Sequence, residues 1–232
     1  MMKKDYLEGV RDGIPIALGY FAVSFTFGIA AARDGVGALW SAFTSLLCVS
    51  SAGQFAGLTV IAAGGGLIEL ALTQLIINLR YLLMSFSLSA KIQGRVGTLP
   101  RFLMAQGVTD EIFAISVNRD VLTPFYTFGA MSIAIPGWVG GAFIGGVLGD
   151  VMPRFLLSAF GIAIYGMFLA IILPPASEDR AILLVVLAGM ALRAVFTWVP
   201  VLKTVSPGFA IIIVTVAVSA AAAYFAPRKE DT

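Results

Sequence analysis

Histidine is absent from this 232-residue sequence, and cysteine occurs once, as Cys48. The first absence removes imidazole metal ligands, Ser/His and Cys/His nucleophile pairs, and histidine proton relays together. The second leaves no internal disulfide framework and makes Cys48, inside an apolar run, a small core residue. Charge is scarce as well: 12% of residues are Asp, Glu, Lys or Arg, against 59% hydrophobic. Soluble domains carry about 25% charged residues, and a water-soluble core cannot hide this much apolar side chain. Lipid is therefore the expected solvent for much of the chain. The net charge of +2, spread over scattered Lys and Arg, gives no footing for nucleic acid.

What is present in abundance is long apolar runs. Eight segments emerge, at 14–32, 38–63, 67–90, 102–118, 125–149, 155–173, 181–201 and 208–226, each near the roughly 20 residues that a helix needs to cross a bilayer. Lys3, Lys4 and Arg11 precede the first, as in a leader, but Asp5, Glu8 and Asp12 break up the basic region. The run from Ile14 to Ala32 is long enough to span, so it reads as a membrane helix. Linkers are short and marked by turn residues, as at Arg33-Asp34-Gly35, Gly64-Gly65-Gly66 and Pro174-Pro175. Residues 1–232 thus read as a single all-α transmembrane domain.

Two segments look interrupted. The second carries Ser50-Ser51-Ala52-Gly53-Gln54 at its middle, where small polar residues allow a membrane helix to unwind beside protein or water. The sixth is short, holds Gly161 and Gly166, and ends at a Pro pair. If all eight segments cross, Lys and Arg show no bias between the two sides. If the second and sixth re-enter, ten basic residues fall on the N-terminal side and three (Arg33, Arg119, Lys203) on the other. The positive-inside rule then favours six crossings plus two broken segments, with the 119–124 loop outside. In that arrangement segments 1–3 and 5–7 run in opposite directions, as in inverted-repeat transporters. A single register shift pairs Gly28 with Gly141, Gly53 with Gly166, and Leu79-Arg80 with Leu192-Arg193.

Polar chemistry gathers in segments three and four. Asn78 and Arg80 stand at the centre of segment three, where a charge costs roughly 2.5–3.5 kcal/mol and needs a partner or water. Gln74, Asn78, Tyr81 and Ser85 share one helical stripe, and Thr73, Arg80 and Ser87 another, which predicts a helix enclosed by protein. Thr109-Asp110-Glu111 lies near the middle of segment four. Adjacent carboxylates point about 100° apart on a helix, so one is expected to pair with Arg80 and the other to meet substrate or proton. Segment five places Gly137, Gly141, Gly145 and Gly149 at every fourth position, a groove for close helix approach, whether internal or to a partner subunit. Arg193 and Glu69 are weaker candidates, Glu69 as an interfacial residue.

Taken together, Ser51-Ala-Gly-Gln-Phe55, Asn78-Leu-Arg-Tyr-Leu82, Thr109-Asp-Glu-Ile-Phe113 and Pro136-Gly-Trp138 resemble the AzlC family of branched-chain amino acid permeases, over nearly the whole chain. The resemblance implies export of branched-chain or related apolar amino acids from a bacterial inner-membrane protein. It also implies a separately encoded small membrane subunit of the AzlD type. The physics is compatible. An amino acid is a zwitterion; the break at Ser50, Ser51, Gly53 and Gln54 offers backbone N–H groups to its carboxylate, and Asp110 or Glu111 offers charge to its ammonium. Phe55, Leu58 and Ile76-Ile77 are expected to wall the apolar side chain. The expected substrate-binding set is Ser50, Ser51, Gly53, Gln54, Asn78, Arg80, Asp110 and Glu111, with no metal and no cofactor. An enzyme is not expected: a metal type would want His, and an aspartyl type two facing Asp residues in separate spans. The alternative is a channel or scaffold subunit without carrier activity of its own.

Overall fold

The structure, a computed structural model, describes residues 2–92, 96–149 and 172–225, with isolated positions between 150 and 171. Every regular element among them is helical: α1 (Met2–Arg33), α2 (Ala38–Leu47), α3 (Ser51–Ala62), α4 (Leu67–Lys91), α5 (Thr98–Gln106), α6 (Asp110–Val117), α7 (Pro124–Gly149), α8 (Arg180–Trp198), a 3-10 turn at Leu202–Thr204, and α9 (Pro207–Phe225). Five of them, α1, α4, α7, α8 and α9, are long and apolar enough to cross a membrane. The sixth apolar segment, 155–173, lies almost entirely outside the described residues. The chain forms two compact units, Met1–Gln54 with Asn78–Gly161, and Phe55–Ile77 with Ile162–Thr232.

The first unit is built on the pair α1 and α7. A Cβ on Gly137, Gly141 or Gly145 would press into the backbone of Ala17, Phe21 and Phe25 in turn, and one on Gly149 would meet Ile29 and Ala32. Reciprocally, Gly9, Gly13 and Gly28 of α1 leave room for Tyr126, Ala130 and Ala142. The glycine groove is therefore an internal seam along the full length of both helices, with backbone against backbone. Positions advance in the same direction on the two helices, so α1 and α7 run parallel.

That orientation overturns the expected opposition of segments one and five, and with it the inverted repeat as drawn from the sequence. The reason is segment four. It is not one helix but two, α5 and α6, interrupted at Gly107-Val108-Thr109. A cavity of about 240 Å³ is lined by Leu88, Ser89 and Ile92 of the second half of α4, Arg101 and Met104 of α5, and Val108 and Ile112, so α5 packs on that half of α4. The end of α6 then returns to the end of α4, where Lys91 Nζ donates to the Arg119 carbonyl at 3.1 Å and the Leu122 N–H to the Lys91 carbonyl at 3.0 Å. Segment four thus enters and leaves at one end of the unit. The same end holds the start of α1: Arg119 pairs with Glu8 at 3.0 Å, Thr123 bonds Asp5, and the Tyr126 hydroxyl bonds Asp12. The 119–124 loop therefore lies on the N-terminal side, not opposite it.

In the second unit, the later part of α3 packs on the first half of α4, with Gly57 against Gln74 and Leu70. The Gly64-Gly65-Gly66 turn between them needs glycine at position 64, where φ is +70°. Helices α8 and α9 lie side by side along an alanine-rich groove bounded by Leu184, Leu192 and Phe225. Arg193 is exposed on α8.

Candidate functional site

Two helix breaks meet in the first unit. The first falls at Cys48-Val49-Ser50, between α2 and α3, immediately before the Ser51–Gln54 run. Cys48 is extended (φ −128°, ψ 92°), and the Ser50 hydroxyl accepts the Gly53 N–H at 3.2 Å, so Ser50 caps the N-terminus of α3. The second break is capped alike: Gly107 ends α5, and the Thr109 hydroxyl accepts the Ile112 N–H at the start of α6. The breaks are tied to one another. Gln106 Nε2, the last side chain of α5, donates to the Leu46 and Leu47 carbonyls at 3.2 and 3.0 Å, satisfying orphan acceptors at the end of α2. Val49 from one break and Ile112 beside the other share a buried cluster with Tyr20, Ala134 and Trp138.

The central residues of α4 face this junction. Ser50 Oγ lies 2.9 Å from Asn78 Oδ1. Arg80 Nη1 lies 2.9 Å from Asp110 Oδ2, at the first residue of α6. Its Nη2 donates to the Tyr81 hydroxyl at 3.2 Å, and that hydroxyl also adjoins Ser50. The two polar stripes predict a helix enclosed by protein and hence a buried pair; the side chains are instead 39% and 36% exposed. Nor is α4 enclosed. Leu79, Leu82, Leu83 and Phe86 are exposed on its other flank, an apolar face suited to lipid. The Arg80 Nε, though buried, has no hydrogen-bond partner among the described residues, so the guanidinium keeps donor capacity beyond its link to Asp110.

The two carboxylates divide as adjacent helical positions must. Asp110 meets Arg80, while the exposed Glu111 accepts a 2.7 Å hydrogen bond from the Tyr20 hydroxyl and forms no ion pair among the described residues. Tyr20 and Thr109 oxygens also touch, at 2.5 Å. A phenol has one proton, so the chain runs from the Thr109 hydroxyl to Tyr20 and from Tyr20 to Glu111.

Of the expected set, Ser50, Asn78, Arg80 and Asp110 come together, Ser51 and Gly53 form the first turn of α3 beside them, and Glu111 stands one residue on. Gln54 has a different place. It is buried, its amide N donates to Ser45 Oγ and its amide O accepts from Trp138 Nε1, both at 2.8 Å. Both ends of this amide are engaged within the protein, so Gln54 braces the break. Phe55, Leu58 and Ile76-Ile77 belong to the second unit. Sequence reasoning missed Tyr20, Ser45 and Gln106, which no spacing singles out. It also missed the break at Gly107, whose Gly-x-Thr pattern is a helix stop followed by a helix start.

Five membrane-length helices, and in the first unit two helix breaks with a charged pair beside them, define a polytopic helical membrane protein. Residues 15–152 match the AzlC protein family, and the chain belongs to that family. It is 29% identical to inner membrane protein YgaZ of Escherichia coli K12 over 203 residues, 82% of this chain and 83% of that protein. It is 30% identical over 171 residues to a membrane protein of Archaeoglobus fulgidus, covering 73% of this chain and 75% of the relative. A Helicobacter pylori J99 membrane protein is 26% identical over 154 residues, 63% of this chain and 67% of its own length. No solved structure matches the chain.

Proposed function

We propose that this chain is an ion-gradient-driven membrane transporter that exports branched-chain or related apolar L-amino acids, acting as the large subunit of a two-component permease with a small membrane subunit of the AzlD type. The observation that carries this reading is the meeting of an interrupted helix with a charged pair. By helix geometry the first N–H groups of α3, at Ser51 and Ala52, lack intrahelical partners, and they sit beside the positive end of the helix dipole. They suit a substrate carboxylate. Glu111, which has no basic partner among the described residues, suits the ammonium group, and Arg80–Asp110 fixes α6 against α4. Membership of the family supports the transport reading, and the resemblance to branched-chain permeases supports the substrate class.

The charge distribution supports an orientation. At the N-terminal end of the first unit stand Lys3, Lys4, Arg11, Lys91, Arg101 and Arg119; at the other end, among the described residues, stands Arg33. Basic residues are retained in the cytoplasm, so the N-terminal end is assigned to the cytoplasmic face of a bacterial inner membrane. The test is flux of labelled leucine, valine and methionine in proteoliposomes, with and without the small subunit. Saturable flux that responds to an imposed ion gradient is expected. Non-saturating flux points to a channel, and flux carried by the small subunit alone reduces this chain to a scaffold.

A further inference from the structure

The cavity beside α5 has no part in the site above. Its volume is about 240 Å³, and all of its lining belongs to the first unit. The buried part of that lining is largely apolar: Leu88 of α4, Met104 of α5, and Val108 and Ile112 at the second break. The last two bracket Thr109, Asp110 and Glu111 in the chain, so the cavity adjoins the segment that carries both carboxylates. The exposed part of the lining includes Ser89, Arg101 and Ala105. Arg101 forms no ion pair among the described residues. Thr127 of α7 also lines the cavity; it is buried, and its hydroxyl has no hydrogen-bond partner among the described residues.

This lining suits a small molecule with an apolar body and a charged head. Apolar walls with a few polar groups are the general make-up of small-molecule sites. A cavity of roughly 150 Å³ holds benzene, so one of about 240 Å³ has room for a molecule the size of leucine. The rival occupant is a lipid acyl chain, because Leu82 and Phe86, on the flank of α4 suited to lipid, also border the cavity. Three hydroxyl side chains in the lining weigh against it: Ser85, Ser89 and Thr127. An alkyl chain leaves the buried Thr127 hydroxyl unanswered, at a cost of about 1–3 kcal/mol. An ammonium group, by contrast, donates to hydroxyl oxygens. The Arg101 guanidinium matches the other end of a zwitterion, since its fork of donors fits a carboxylate.

We infer that this cavity is a second amino-acid site, separate from the junction of Ser50 and Arg80, in which Arg101 takes the carboxylate and Leu88, Met104, Val108 and Ile112 hold an apolar side chain. Arg101 stands at the N-terminal end of the first unit, so this is the site that cargo meets from that face. The entry role and the choice of cargo rest on the transport function proposed above; the binding is read without transport. The full chain in lipid nanodiscs is irradiated with a diazirine analogue of leucine, and the labelled peptides are mapped by mass spectrometry. Labels should fall around Leu88, Met104 and Val108 and disappear with excess leucine. Arg101→Gln, and Ala105→Phe with its ring at the exposed rim, should each reduce that labelling by about tenfold or more. Both positions are exposed, so neither change disturbs the core. Arg80→Ala should leave the labelling in place; its loss there too would make the two sites one. Wild-type chain without cavity labels overturns the assignment. So do labels that dodecanoate or phosphatidylglycerol suppresses and leucine does not, which make the cavity an acyl-chain pocket. In proteoliposomes, Arg101→Gln should raise the KM for leucine presented at the N-terminal face by about tenfold; an unchanged KM overturns the entry role. Cavity labels in a chain that carries no amino acid leave the binding site standing and refute the transport reading instead.

Discussion

Arg80 shows how much one side chain dictates about its surroundings. It cannot readily lose its proton, and the charge must be answered within reach. The carboxylates of segment four are the available answer, and Asp110 supplies it at 2.9 Å. What the residue type alone does not reveal is that both groups stay partly open. That openness sharpens the expected mutant pattern. Arg80→Ala should lower flux per folded protein by about tenfold or more, as for loss of a contact worth about 1.4 kcal/mol, while leaving folded protein in the membrane. Arg80→Lys should restore little if the guanidinium serves two acceptors at once. Asp110→Asn should lower folded yield because it strands Arg80, and Glu111→Gln should lower flux at normal yield. Equal yields and equal flux for the two acids would remove the division of roles. Gln54 makes the opposite case: it is polar, central and engaged at both amide ends. Gln54→Ala leaves Trp138 Nε1 and Ser45 without partners and should cost about 1–3 kcal/mol of stability, read as a lower melting temperature in detergent. An unchanged melting temperature would show that the brace is dispensable.

At the scale of elements, the legible signals are those that act locally. Ser50 to Gly53 announce a break because small and polar residues cap helices, and the break lies directly before Ser51. The same grammar is present at Gly107 and Thr109, but there the adjacent Asp110 and Glu111 compete with it as a charge signal, and the marginally apolar run around them has the length of one span. Two short helices of nine and eight residues, each too short to cross alone, stand there instead. The glycine groove is also legible as a surface of close approach. Its partner is not, because a groove of this kind names no occupant; the reciprocal Gly9, Gly13 and Gly28 of α1 do so only once the helices are seen side by side. Gly141→Leu and Gly145→Leu should therefore abolish folded, monodisperse protein whether or not the small subunit is present, since each side chain would enter the opposing backbone and overfill the seam. Normal folding with selective loss of the small subunit would return the groove to the partner.

At the scale of the molecule, direction is the feature that segments alone do not carry. The count of basic residues depends on which segments re-enter, and two topologies with different re-entrant segments share the same apolar pattern. Contacts at the ends of the helices decide it in the first unit: Lys91, Arg119, Thr123 and Tyr126 gather with Asp5, Glu8 and Asp12. In a Cys48→Ser background, cysteines placed near Lys3 and at Val121 should be labelled from the same face, and one at Gly35 from the other. Labelling at Val121 from the Gly35 face would contradict the re-entrant α5–α6 hairpin. The central claim is that two helix breaks and the Arg80–Asp110 pair form the path for an apolar amino acid. Its most direct test is exchange of labelled leucine in proteoliposomes containing this chain and the small subunit, normalised to folded protein, for wild type and Arg80→Ala. Saturable exchange is expected in the wild type, and about one tenth of it or less in the variant. Wild-type exchange from Arg80→Ala would contradict the claim.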